Sequence, residues 1–168
     1  MKLLLAILLC TIIVSGQSQD TQELERRNGF KEIKLGMHID SVKGALFRKD
    51  LIERKEFATK LYETTHPDYM SIGDVPVKLI SLKTYKGLIY EILVSLGHDP
   101  KIMKGLEKSY GKATYSIRTE SYYWKAQTLT LVYKGHRKEV NLTYRSVPVI
   151  AMMYADKGKK IEEVADDF

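Results

Sequence analysis

Cysteine is nearly absent from this chain. Among 168 residues the only one is Cys10, and it lies inside an apolar run rather than at its end. If that run is removed on export, the mature chain has no thiol, which excludes disulfides, thiol nucleophiles and thiolate metal sites together. Histidine is scarce too: His38, His66, His98 and His136 are the whole set, and no two stand at i and i+4. Without that spacing, and without an H-E-x-x-H, the sequence carries no metal template. There is no G-x-S-x-G elbow and no phosphate-cradling glycine loop. The acidic pairs Glu162-Glu163 and Asp166-Asp167 are adjacent, and neighbours on a helix do not face each other as paired acid–base groups must. Excess charge is small, 27 Lys+Arg against 21 Asp+Glu for a net +6. Basic and acidic residues are interleaved, as on a solvated mixed surface, and nucleic acid is not an expected partner. The sequence therefore predicts no catalytic residues, no metal and no cofactor, and a chain that is not an enzyme.

The longest apolar run is Leu3–Val14, preceded by Lys2 and followed by small residues. A run that short, with those flanks, reads as a signal peptide rather than a membrane span. Val14 and Gly16 suit a cut before Gln17, and Gly16 and Ser18 suit a cut before Gln19. Apolar Ile7, Leu8 and Leu9 precede Cys10, unlike the small residues before a lipid-bearing cysteine. The expected organisation is a signal peptide over 1–18, a flexible N-terminus over 19–28 and a single α+β domain over 29–168. A mature chain of this length can form one ordinary core without disulfides. The expected location is exported, periplasmic or secreted, with no transmembrane segment in the mature chain.

The stretch Phe30–Phe47 organises the rest. Phe30, Ile33 and Leu35 among charged residues read as a half-exposed strand, and Gly36 as a sharp turn. Ile39, Val42 and Leu46 recur at helical spacing and predict an amphipathic helix, with Asp40 in its first turn. Residues 49–65 read as a second helix or as a connection ending in an extended piece. From Val75 the pattern is β. Val77–Tyr85 and Leu88–Leu96 read as a hairpin closed by Lys86-Gly87. Asp99 as N-cap, Pro100 at the first helical position and Gly111 as stop predict a helix between them. Three further strands are expected over 115–125, 128–134 and 138–145. Val149–Tyr154 reads as a more buried strand, and Asp156–Phe168 as a terminal helix. LGMHIDSVKGAL and LGHDPKIMKGL echo each other, as two similar α/β units would. The predicted fold class is α+β, an antiparallel sheet with two or three helices packed on one face.

The signal peptide, the strand and then Gly36, Met37 and Val42 at a helix start, with Tyr110-Gly111 at a helix end, resemble small bacterial envelope proteins of the outer-membrane assembly lipoprotein type. The β-lactamase inhibitor proteins share their plan in tandem. That resemblance implies helices on an antiparallel sheet and an envelope location. It departs at the lipid-bearing cysteine, which is missing, and it hands over no site.

Aromatic residues are plentiful, with 11 Tyr in the chain, and Tyr122-Tyr123-Trp124-Lys125 is the densest cluster. On a strand Tyr122 and Trp124 share one face. The candidate binding residues are therefore Tyr122 and Trp124, with Lys125 at the rim, set against the reading that this face is simply core. Asn141-Leu142-Thr143 is a glycosylation sequon only in a eukaryotic source. The expected function is macromolecular binding by a non-catalytic exported protein, with an envelope protein or a glycan as partner. The alternative is a small-ligand or glycan binder using an aromatic sheet face. Oligomeric state is not encoded in any motif here.

Overall fold

The computed structural model describes residues 19–166, so the expected signal segment and its cleavage points lie outside the described residues. The chain opens with helix α1 (Thr21–Arg27) and a small hairpin, β1 (Gly29–Phe30) and β2 (Ile33–Lys34). Strands β3 (Ala45–Glu53), β4 (Phe57–Thr64), β5 (Ser71–Ile72), β6 (Val75–Tyr85) and β7 (Leu88–Gly97) follow. Helix α2 (Pro100–Tyr110) leads into β8 (Thr114–Ser116), β9 (Ser121–Lys125), β10 (Leu129–Gly135) and β11 (Glu139–Ser146), and α3 (Val147–Asp166) closes the chain. The class is α+β.

One nine-stranded antiparallel sheet dominates, in the order β3-β4-β6-β7-β11-β10-β9-β8 with β5 beside β6. It consists of two meanders, joined where β11 pairs with β7. Alternation along β7, β10 and β11 puts Ile92, Val94, Leu96, Leu129, Leu131, Val140 and Leu142 on one face, where all are buried. Helices α1 and α2 and the β1–β2 hairpin cover that face through Leu24, Ile102, Phe30 and Ile33. Each such side chain removed from water contributes about 1.5–3 kcal/mol. On the opposite face, α3 buries Val149 and Met153 against Phe57, Tyr85 and Tyr90, a separate small cluster.

The expected helix after Gly36 does not form. Only a 3-10 turn, Ile39–Ser41, exists there, capped by His38. Val42 is already extended (ψ 122), and Gly44 has φ +66, which ends any helix and starts β3. The apolar residues of the stripe still divide as burial requires, with Ile39 and Val42 buried and Leu46 exposed. Residues 49–65 hold most of the β3–β4 hairpin rather than a helix. Val149–Tyr154 lies inside α3, not in a strand; its side chains cover the sheet from outside instead of joining it.

The stretch read as a flexible N-terminus is also built in. Asp20 caps α1 by accepting from the Glu23 N–H at 3.0 Å. Leu24 is buried, and the Glu25 carboxylate accepts the Thr128 backbone N–H at 2.7 Å. Other expectations hold. The Lys86-Gly87 turn has φ of 50 and 81, the positive pair a two-residue hairpin requires. A Cβ on Gly87 would stand 2.2 Å from His38 Nε2. Asp99 caps α2 through the Lys101 N–H at 2.8 Å.

Candidate functional site

The aromatic cluster is divided by the sheet. Tyr122 and Trp124 do share a face, because their partners across the ladder are Tyr133 and Leu131. That face is the core side. Trp124 is 0% exposed, its indole N–H donates to the Gly111 carbonyl at 2.8 Å, and its ring meets Tyr110 edge-on at 6.3 Å. It pins the end of α2 to the sheet and offers no surface to a ligand. Tyr122 is 40% exposed and stands between Tyr115 at 4.9 Å and Tyr133 at 6.2 Å. Lys125 is exposed on the opposite face, opposite Thr130. The structure thus joins Tyr122 with Trp124 and leaves Lys125 apart.

A roomier concavity than this aromatic cluster offers lies elsewhere. A cleft of about 590 Å³ opens between the β1–β2 hairpin, the β5–β6 turn and α2, with sheet residues Leu142 and Tyr144 at its floor. That volume is within the range of small-molecule sites. Phe30, Val75, Ile102 and Leu106 supply apolar walls. Two tyrosines, Tyr110 at the end of α2 and Tyr144 of the sheet, also line it. Burial pushes both phenols up, against a partial opposing pull from Arg27, so both stay protonated donors at physiological pH. Arg27 stands over the Tyr110 ring, 5.6 Å from its centroid.

The charged residues of the lining are exposed or, for Lys34, half-exposed. Arg27, Lys31, Lys34 and Lys101 line the cleft against one carboxylate, Asp74. Lys101 and Asp74 neutralise each other at 2.6 Å, and the hydrogen bond from Lys101 holds the Asp74 carboxyl below its ordinary value. Arg27 is paired with Glu23 at 2.6 Å. The hydrogen bonds from Arg26 and Arg27 hold the Glu23 carboxyl down to about 2. Lys31 and Lys34 differ. The Lys31 ammonium donates to the Asp68 carbonyl at 2.6 Å, and that of Lys34 to the Arg27 carbonyl at 3.0 Å and to the Lys31 carbonyl. Those acceptors are neutral, and neither ammonium forms a carboxylate ion pair among the described residues, although Lys31 is close enough to the Asp68 carboxyl to help hold it below its ordinary value.

Gly105 lines this cleft from the middle of α2. A Cβ built there would meet nothing within 4 Å. The glycine therefore answers no packing demand of the fold, although it costs a helix interior about 1 kcal/mol against alanine. In the sequence it shows only as a glycine inside a helical pattern, and nothing in that pattern marks a site. The signal that could have found it is a glycine without a turn, next to a helix face that nothing else fills.

A smaller cavity of about 280 Å³ lies under α3. Four of its five charged residues form a chain: Lys83 bridges Glu53 at 2.6 Å and Glu91 at 3.2 Å, and Glu91 takes Arg145 at 2.7 Å. Tyr90 reaches toward Thr59 and Glu53, yet its hydroxyl and Thr59 Oγ1 are buried without a hydrogen-bond partner among the described residues. Such groups commonly take an internal water. Of the histidines, His38 and His66 each accept a backbone N–H at a 3-10 turn, from Asp40 at 3.5 Å and Asp68 at 3.3 Å. Among the described residues no group of His, Cys, Asp and Glu is placed to hold a metal. No helix among them is long and apolar enough to cross a membrane. Comparison with protein-family models, with curated proteins and with solved structures finds no match to this chain.

Proposed function

We propose that this is an exported, non-catalytic binding protein that holds a small, largely apolar ligand in the cleft between the β1–β2 hairpin and α2. Gly105 carries the reading. It keeps the cleft wall bare where a Cβ would meet no other atom within 4 Å, and close approach of a ligand to the helix is what a bare backbone permits. The apolar lining supplies burial, and the lining tyrosines Tyr110 and Tyr144 are the polar groups available for orientation. Export rests on the Leu3–Val14 run and the small residues behind it. The test is displacement of a neutral apolar fluorescent probe. Gly105→Leu adds a good helix former that projects into the cleft; it is expected to weaken probe binding at least tenfold while melting stays level or rises. Unchanged binding in that variant overturns the cleft as the site.

The free edge of the sheet favours a second reading, in which an extended segment of an envelope protein adds to β3. Leu46, Phe47 and Ile52 are exposed along that edge, and an unpaired edge offers its backbone groups to another strand. Phe47→Lys should abolish capture of such a partner and leave cleft binding intact.

A further inference from the structure

Resting on the cleft reading, we infer that the ligand is a single-chain amphiphile whose anionic head group is held at the mouth by Lys31 and Lys34. The cleft is graded in polarity. Its apolar lining is Phe30, Val75, Ile102 and Leu106, buried or half-buried, whereas the ionised residues that line it, Arg27, Lys31, Lys34, Asp74 and Lys101, are exposed or half-exposed. A molecule that is charged at both ends, or polar along its length, would leave a charge or an unpaired polar group against that apolar lining, at a cost an apolar chain avoids.

The sign of the head group follows from the pairing pattern. Four cations and one carboxylate line the cleft. Two of the cations, Arg27 and Lys101, are already matched by Glu23 and Asp74. The remaining two are Lys31 and Lys34, whose ammoniums donate to backbone carbonyls; Lys31 also lies near the Asp68 carboxylate, whose closer partner is Lys43. Both stand on the β1–β2 hairpin and line the same cleft, with the Lys34 ammonium folded back onto the Lys31 carbonyl. Lys31 is held in the left-handed region at φ 51, a conformation that glycine or asparagine adopts more cheaply. The turn thus carries a lysine where the backbone alone favours a smaller residue. A carboxylate and a phosphate monoester satisfy this pair equally well in sign, and both are acceptors for ammonium donors.

The experiment titrates the protein, as recovered from its producing cells, with dodecanoate, dodecyl phosphate and dodecanol below their aggregation limits. The expected result is at least tenfold tighter binding of one or both anions than of the alcohol. That preference shrinks with added salt and disappears in Lys31→Ala/Lys34→Ala. The tighter anion then names the head group, a free acyl carboxylate or a phosphate. If all three ligands bind equally, in a manner that Gly105→Leu blocks, the anionic head is overturned while the cleft stands. If none binds, or if Gly105→Leu changes nothing, the cleft reading itself is overturned. Melting of the double lysine variant, whose side chains lie at the surface, confirms that any lost preference is not lost folding.

Discussion

The two halves of the sheet are preceded by similar sequences that do opposite things. Leu35–Leu46 and Leu96–Leu106 both run from Leu-Gly through a Lys-Gly to an apolar residue. The second becomes the helix α2, and the first becomes one 3-10 turn followed by a strand. The difference lies at two points. Asp99-Pro100 provides a strong cap and a preset first residue, whereas His38 reaches the Asp40 N–H only at 3.5 Å. Gly105 then stays helical, while Gly44 turns to φ +66. An apolar stripe at helical spacing is therefore not enough; start and stop chemistry decides whether burial is achieved by a helix or by a bent segment.

The largest effects should come from the core against which both segments pack. Val42→Asp places an unpaired charge at a buried site and should cost several kcal/mol, seen as loss of the cooperative denaturant transition. Parent-like unfolding would show that the first of the two segments is dispensable. Trp124→Ala should cost about 3–5 kcal/mol, since it removes a large buried ring and the bond to Gly111 that anchors α2. Next come the glycines, for which the comparison predicts opposite signs. Gly44→Ala should destabilise by about 1 kcal/mol because its φ is positive. Gly105→Ala should stabilise by up to about 1 kcal/mol as a helix substitution. Equal shifts in melting temperature would mean that the two sites are conformationally alike. The caps should differ as well: Asp99→Ala is expected to cost about 1 kcal/mol, and His38→Ala clearly less.

The smallest effect concerns α3, which lies apart from both segments. Lys86 at 2.6 Å and the Tyr85 hydroxyl at 3.0 Å hold the Asp156 carboxyl below its ordinary 3.8. A carboxyl depressed by folding adds stability that is complete above its unfolded value and is lost as pH falls through the folded one. The protection factors of the α3 amides, corrected for the intrinsic pH dependence of exchange, should therefore fall on acidification below about pH 4, while β7 and β11 stay protected. Simultaneous loss of protection in all three would make α3 part of the main cooperative unit.

Much of the sheet is legible in the sequence. Alternation marks β6, β7, β10 and β11, and Asp99, Pro100 and Gly111 mark α2, because these signals are local and agree with tertiary burial. The β3–β4 hairpin is hidden by the charges in Arg48-Lys49-Asp50, which sit on an exposed edge and break the alternation of a half-buried strand. Helix α3 is hidden because Val149–Tyr154 is continuously apolar, a pattern common to buried strands and short helix segments. The strand period places Tyr122 and Trp124 on one face, yet period alone does not say which face is the core. The cleft is out of reach for a different reason. Phe30, Lys34, Asp74, Ile102 and Tyr144 come from five separate elements or turns, and only the fold brings them to one mouth.

The order of the strands also has a consequence for how the molecule is made. Each meander pairs strands close in sequence, with only the two-residue β5 passed over, but the seam joins Glu91 to Arg145 across 54 residues. Local hairpins close quickly, whereas such distant pairings wait for loop closure. A nascent chain can finish β3 to β7 well before β11 exists. During that interval β7 exposes a row of open backbone groups, with Val94 and Leu96 beside it, which become fully buried only later. That edge is a template for any other unfinished copy. Truncation after Gly97 should accordingly yield an aggregating half rather than a smaller soluble domain.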